Sequence, residues 1–152
     1  MPAMQASPFT RQDFRAALGL FATGVTIVTA RAADGTPVGL TANSFNSVSL
    51  TPPLVLWSLS LQAGSMAAFA TGSHYAIHIL AAEQRALAER FATRGADRFA
   101  GLDWREGTGG VPLIEGAAAV LECHNRSRYE EGDHVIFVGE VEQCRYRADA
   151  SP

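Results

Sequence analysis

Apolar residues recur at helical spacing near the start of the chain, at Phe14, Ala17, Leu18 and Phe21, just after Thr10. Asp13 stands three residues beyond Thr10, a capping-box pattern with a shorter acid, so a helix is predicted there with Gly24 closing it. The period then changes. The β-branched run Val25 to Ala30 predicts a strand, and Asp34-Gly35 predicts a hairpin turn into a returning strand that begins over Val38 to Thr41. Further on, Leu54 to Ser60 reads as a buried strand and Met66 to Thr71 as a short helix ended by Gly72. Tyr75 to Leu80 reads as a strand, and Glu83 to Thr93 as a helix with Leu87 and Phe91 on one face. The glycine-rich stretch from Gly95 to Pro112 predicts loop. Ala117 to His124 and His134 to Tyr146 predict two strands joined across Arg126 to Asp133. About six strands and three helices, with turns suited to antiparallel pairing, make the expected fold mainly β: a small barrel with peripheral helices.

One segment breaks the alternation. Seven of the eleven residues from Thr41 to Thr51 carry a hydroxyl or an amide, and no Asp, Glu, Lys or Arg occurs between Asp34 and Glu83. Such a stretch buries an alternating apolar face poorly and is a poor plain strand. It is rich in neutral donors and acceptors. Flanked by apolar strands, it suits a large, flat, polar ligand better than it suits solvent.

Composition narrows the class. The 152 residues predict a single domain, residues 1–152, long enough to bury a real core, with residues 1–9 expected to lack order. A net charge of −3, with scattered arginines and no lysine, gives no basic footprint for nucleic acid. The longest apolar run, Leu54 to Trp57, is too short to cross a bilayer. Met1 to Phe14 lacks a signal-peptide core, so a cytoplasmic location is expected. Cys123 and Cys144 lack metal-ligand spacing and read as reduced thiols in strands.

Side-chain chemistry is sparse. His74 and His78 lie on a predicted strand, where four residues span roughly 13 Å, too far for one ion. No metal site is expected. There is no Gly-x-Ser-x-Gly elbow and no Gly-x-Gly-x-x-Gly after a strand. Gly107-Thr108-Gly109-Gly110 precedes Val111-Pro112 rather than a helix and reads as a loop. Asp133 beside His134 either orients that histidine or holds a turn.

Taken together, these stretches resemble a known family. They are Phe21-Ala22-Thr23-Gly24-Val25-Thr26-Ile27-Val28-Thr29, Asp34-Gly35, Gly39 to Phe45, and Ser47 to Leu54. Phe91-Ala92 after a helix, and Gly132-Asp133-His134 before Phe137 to Val141, follow in order. From about Phe14 to Tyr146 the chain is similar to the short-chain flavin reductases, the small components of two-component flavin-dependent monooxygenases. The resemblance implies a split β-barrel of Greek-key-like antiparallel strands that forms a homodimer. It implies hydride transfer from NADH or NADPH to FMN or FAD, with the reduced flavin diffusing to a partner monooxygenase. A non-catalytic or electron-carrier FMN-binding protein on the same barrel is the alternative, and an interaction module with a polar groove is a third reading.

By position, the resemblance implies that Thr41, Ala42, Asn43 and Ser44 line the isoalloxazine edge, largely through backbone groups. Ser47, Val48 and Ser49 continue that wall. Ser60, Gln62 and Ser65 face the ribityl chain and phosphate, Phe91, Ala92 and Thr93 close the phosphate side with Arg90 or Arg94 as helper, and His134 meets the nicotinamide. Two departures stand out. Thr93 and Arg94 replace the small residue common after the Phe-Ala pair, which bears on the flavin tail accepted. The family's usual further C-terminal strand is not found after Ala148-Asp149-Ala150-Ser151-Pro152.

Overall fold

The computed structural model describes residues 8–152. Three of the described helices and nine strands follow one another: α1 (Arg11–Gly19), β1 (Thr26–Arg31), β2 (Pro37–Ala42), β3 (Asn46–Leu50), β4 (Pro53–Ser60), α2 (Met66–Thr71), β5 (His74–Ile79), α3 (Arg85–Ala92), β6 (Trp104–Glu106), β7 (Pro112–Ile114), β8 (Ala119–Glu131) and β9 (His134–Tyr146). Seven strands form one antiparallel sheet in the order β2-β1-β5-β8-β9-β4-β3, and β6 pairs with β7. The two end strands, β2 and β3, are joined by only Asn43, Ser44 and Phe45. Three residues cannot cross a flat sheet of seven strands, which is about 29 Å wide at the usual strand spacing. The sheet therefore curls round until β2 lies against β4, giving a split barrel.

The capping box at Thr10 is present: Asp13 N–H donates to the Thr10 hydroxyl at 3.0 Å, and Thr10 N–H to Asp13 at 2.9 Å. The helix stops at Gly19 rather than Gly24, because Leu20 and Phe21 turn their N–H groups onto Ala17 and Leu18 and the chain then extends into β1. The Asp34-Gly35 hairpin forms, pairing Arg31 with Pro37. Within Thr41 to Thr51, read as a poor plain strand, β3 does form. Its register shifts between Ser47 and Ser49, so Val48 bulges out, 48% exposed. The segment Arg126 to Glu131, taken as connection, continues β8. Ladder bonds to β9 hold it although its side chains are largely exposed. That leaves only Gly132 and Asp133 as the turn, with Gly132 at φ +61°, the left-handed value a two-residue hairpin asks of its first residue. The loop predicted from Gly95 to Pro112 contains the short β6.

Inside the barrel, Trp57 stacks on Phe137 (centroids 4.9 Å) and meets Phe69 and Tyr75 edge-on. Gly139 makes room for this cluster: a Cβ there would come within 2.6 Å of the Tyr75 hydroxyl. Outside the barrel, Ile27, Leu80, Phe91 and Ile114 form a second core beneath α3. β1 is thus covered on both faces, which accounts for its continuous β-branched run.

His78 joins the two layers. Its imidazole is fully buried, with Nδ1–H donating to the Ile27 carbonyl and Nε2 accepting from Ile114 N–H, both at 3.0 Å. Both ring nitrogens are committed to the neutral form, and burial pushes the pKa down to about 4. In the unfolded chain the ring titrates near its ordinary value of 6.5. Between these values the unfolded state binds a proton that the folded state does not, so the stabilisation present above pH 6.5 is lost as pH falls toward 4. We expect the unfolding free energy from urea denaturation to drop by roughly 3 kcal/mol across that window. His78→Gln should be less stable at pH 7 but show a flatter pH slope.

Candidate functional site

The closure itself builds the site. The half-buried Ser44 hydroxyl accepts from Ser58 N–H at 2.9 Å and donates to the Ser58 carbonyl at 3.2 Å, stitching the β2–β3 connection to β4. At the end of β2, the Thr26 hydroxyl donates to the Ala42 carbonyl, and the Thr41 hydroxyl donates to the Ala88 carbonyl of α3 at 2.5 Å. The hydroxyls of Thr41 and Ser44 are therefore spent on the fold. The backbone N–H groups of Asn43, Ser44 and Phe45 make no backbone hydrogen bond among the described residues.

Two cavities open along this seam and share Leu40, Thr41 and Ala63. The smaller, of about 520 Å³, is walled by Thr41 to Ser44 on one side and by Ser58, Ser60, Glu131 and His134 on the other. Ser60 and His134 are directly opposite partners in the β4–β9 ladder. The turn after β4 is tied to the same rung: Leu61 N–H donates to the Asp133 carbonyl, and Gln62 N–H to the Ser60 hydroxyl. Asp133 accepts from His134 Nδ1 at 2.7 Å, and this bond is the main cause of its lowered pKa. Asp133 thus orients the ring and leaves Nε2 as its free nitrogen.

The larger cavity, of about 850 Å³, continues past Thr41 between Gln62 to Ser65 and the segment from Phe91 to Phe99. Phe91 is wholly buried, its ring lying under Gly39, where a Cβ would approach within 2.9 Å. It supports the wall by packing. Arg90 is committed to the carbonyls of Asp97 and Ala100. Exposed Arg94 has no hydrogen-bond or ion-pair partner among the described residues and lines the groove.

Of the residues singled out from sequence, Thr41, Ala42, Asn43, Ser44, Ser60 and His134 meet around the smaller cavity, and Thr41, Gln62, Ser65, Phe91 and Ala92 line the larger. Ser47, Val48 and Ser49 lie on β3 beyond the seam and line neither, and the Thr93 hydroxyl turns back onto the Glu89 carbonyl. The wall from Gly95 to Phe99 and the contribution of Glu131 were not read from sequence. Gly107 to Gly110 is a structural turn: the buried Glu122 carboxylate accepts from Thr108 N–H and hydroxyl and pairs with Arg145.

The closed antiparallel sheet and its seam groove define a split-barrel protein. Residues 18–152 match the family described as flavin reductase like domain, and the chain belongs to that family. It is 48% identical over 141 residues to "FMN reductase (NADH) SmoA" of Agrobacterium fabrum, covering 93% of this chain and 79% of that protein. It is 46% identical to the reductase component of the flavin-dependent trigonelline monooxygenase of Acinetobacter baylyi, covering 86% of this chain but only 42% of that one. Among solved structures, the NADH:FAD oxidoreductase SgcE6 of Streptomyces globisporus, in complex with NAD and FAD fragments, superposes with a TM-score of 0.89. It is 41% identical, over 98% of this chain and 90% of that one.

Ser44→Ala removes both bonds of the stitch. We expect it to lower the unfolding free energy by about 1–2 kcal/mol, read from urea denaturation.

Proposed function

We propose that this chain is an NAD(P)H:flavin oxidoreductase that transfers hydride to FMN or FAD and supplies the reduced flavin, by diffusion, to a partner monooxygenase. The observation that carries this reading is the groove itself: an uncharged, hydrogen-bonding middle with one oriented histidine at one end and one unpaired arginine at the other. That donor set fits a flavin. The free N–H groups of Asn43 to Phe45 match the carbonyl-rich edge of an isoalloxazine, Gln62 and Ser65 match a ribityl chain, and Arg94 matches a phosphate. The relatives' names, which pair flavin with NADH and with monooxygenases, point the same way.

When bound, the flavin supplies the redox chemistry, and the protein's task is binding and orientation. Asn43 to Phe45 donate to the ring edge through neutral groups worth only about 0.5–1.5 kcal/mol each, which suits a ligand that is taken up and released. His134, held by Asp133, orients the nicotinamide through Nε2, accepting as the neutral ring and donating as the cation.

The homodimer belongs to the same proposal. No residue of α1 is buried, and Phe14, Leu18 and Phe21 stand exposed, as does Leu50 at the end of β3. A short amphipathic helix gains little stability without a surface to cover its apolar face, and a second copy provides one. The free thiols Cys123 and Cys144, the first pushed up to about 12 by burial, fit a reducing cytoplasm.

His134→Ala should cut kcat/KM for NAD(P)H at least tenfold while changing the flavin dissociation constant less than about twofold, the loss being one oriented contact. Equal losses in both would remove the nicotinamide role. Arg94→Gln should weaken FMN by roughly tenfold, the worth of a charge-assisted hydrogen bond, and leave riboflavin unaffected. Fluorescence titration with the two ligands reads the difference.

A further inference from the structure

The segment from Gly95 to Gly101 forms the outer wall of the larger cavity and is not part of any helix or strand. It begins and ends on glycines in the left-handed region, φ +76° at Gly95 and +71° at Gly101, and a Cβ at either would meet nothing within 4 Å. The terminal glycines are thus conformationally free and sterically uncrowded, as hinge positions are.

What holds this wall in place falls into two groups. Arg90 of α3 binds the carbonyls of Asp97 and Ala100, and the Phe99 ring packs edge-on against Phe91 and Trp104. The Phe99 contact is apolar and reaches the outer core that includes Ile27 of β1. Among the described residues, Arg98 makes the segment's hydrogen bond to the sheet: its half-buried guanidinium donates from Nη1 to the Gly39 carbonyl at 2.7 Å and from Nη2 to the Thr93 carbonyl at 3.2 Å. Gly39 lies on β2, the end strand of the sheet, and Gly39 and Arg98 both line the cavity. One side chain therefore fastens the outer wall of the groove to β2.

We propose that Arg98 is a positioning residue that latches the segment from Gly95 to Gly101 over the flavin tail and so sets the rate at which flavin leaves. This rests on the flavin reading of the groove. Release is a necessary step for a protein that hands its product to another, and the bond to Gly39 holds the outer wall against β2 until it breaks. Arg98 differs from Arg94, whose guanidinium has no partner among the described residues: Arg98 spends its donors on carbonyls and shapes the groove without needing a phosphate.

The test uses the full chain with Arg98→Ala and Arg98→Lys. In the ligand-free protein, hydrogen exchange should lose protection from residue 95 to 101 in Arg98→Ala. Arg98→Lys, which can keep the bond to Gly39 but not both, should lose less. Stopped-flow dissociation of FMN and of riboflavin should each accelerate by about tenfold or more in Arg98→Ala, the factor for losing a charge-assisted hydrogen bond. Acceleration for FMN alone would make Arg98 a phosphate ligand and overturn the latch. Lowered thermal stability with unchanged dissociation and unchanged exchange in that segment would overturn it as well. If the unsubstituted protein binds neither flavin, the functional reading itself fails, while the exchange experiment still decides whether Arg98 fastens the wall.

Discussion

The structure depends on a short connection. β2 and β3 stand at opposite ends of the seven-stranded order, yet Asn43, Ser44 and Phe45 alone join them. Everything else accommodates that tether. The sheet must curl, its interior must fill with large rings such as Trp57 and Phe137, and β2 must come round against β4 along a seam. The tether closes the barrel with a serine hydroxyl bridging to Ser58, and among the described residues no strand ladder joins β2 to β4 across the seam. It leaves backbone groups free where a ligand can use them. Barrel closure and the candidate binding groove are consequences of one constraint.

A second layer keeps the seam in shape. α3 grips β2 through Thr41 and the Ala88 carbonyl, and Phe91 wedges beneath Gly39. His78 ties β1 to the β6–β7 hairpin from the other side. These links run from the outer core to the very strand that lines the groove. A change in the outer layer would therefore be felt at the site through β2 as well as through Phe91 and Phe99, which line the larger cavity.

Sequence legibility followed physical cause. The capping box at Thr10, the Asp34-Gly35 hairpin and the helix Met66–Thr71 were readable because local bonds decide them. The far half of β8 was not, since Arg126 to Glu131 has no apolar alternation and is held as strand only by β9. β3 escaped for the same reason, with its polar residues on an exposed sheet edge. Around the smaller cavity, Thr41 to Ser44 and His134 had been singled out through the uncharged segment and the family resemblance. The hydroxyls that looked like ligand donors turned out to be committed to Ala88 and Ser58, a pairing only the three-dimensional closure creates. Arg98 lay inside a stretch whose glycines signal a loop and say nothing of what a loop is fastened to.

The direct pairing of Ser60 with His134 across β4 and β9 has a consequence for how such a chain can change. Side chains on a strand alternate faces with a period of two, so inserting or deleting one residue in either strand would turn one of the pair away from the groove. Loops at the barrel's periphery carry no such parity. Peripheral connections can therefore take single-residue changes, while the rung shared by Ser60 and His134 keeps both side chains on one face only for shifts of two residues.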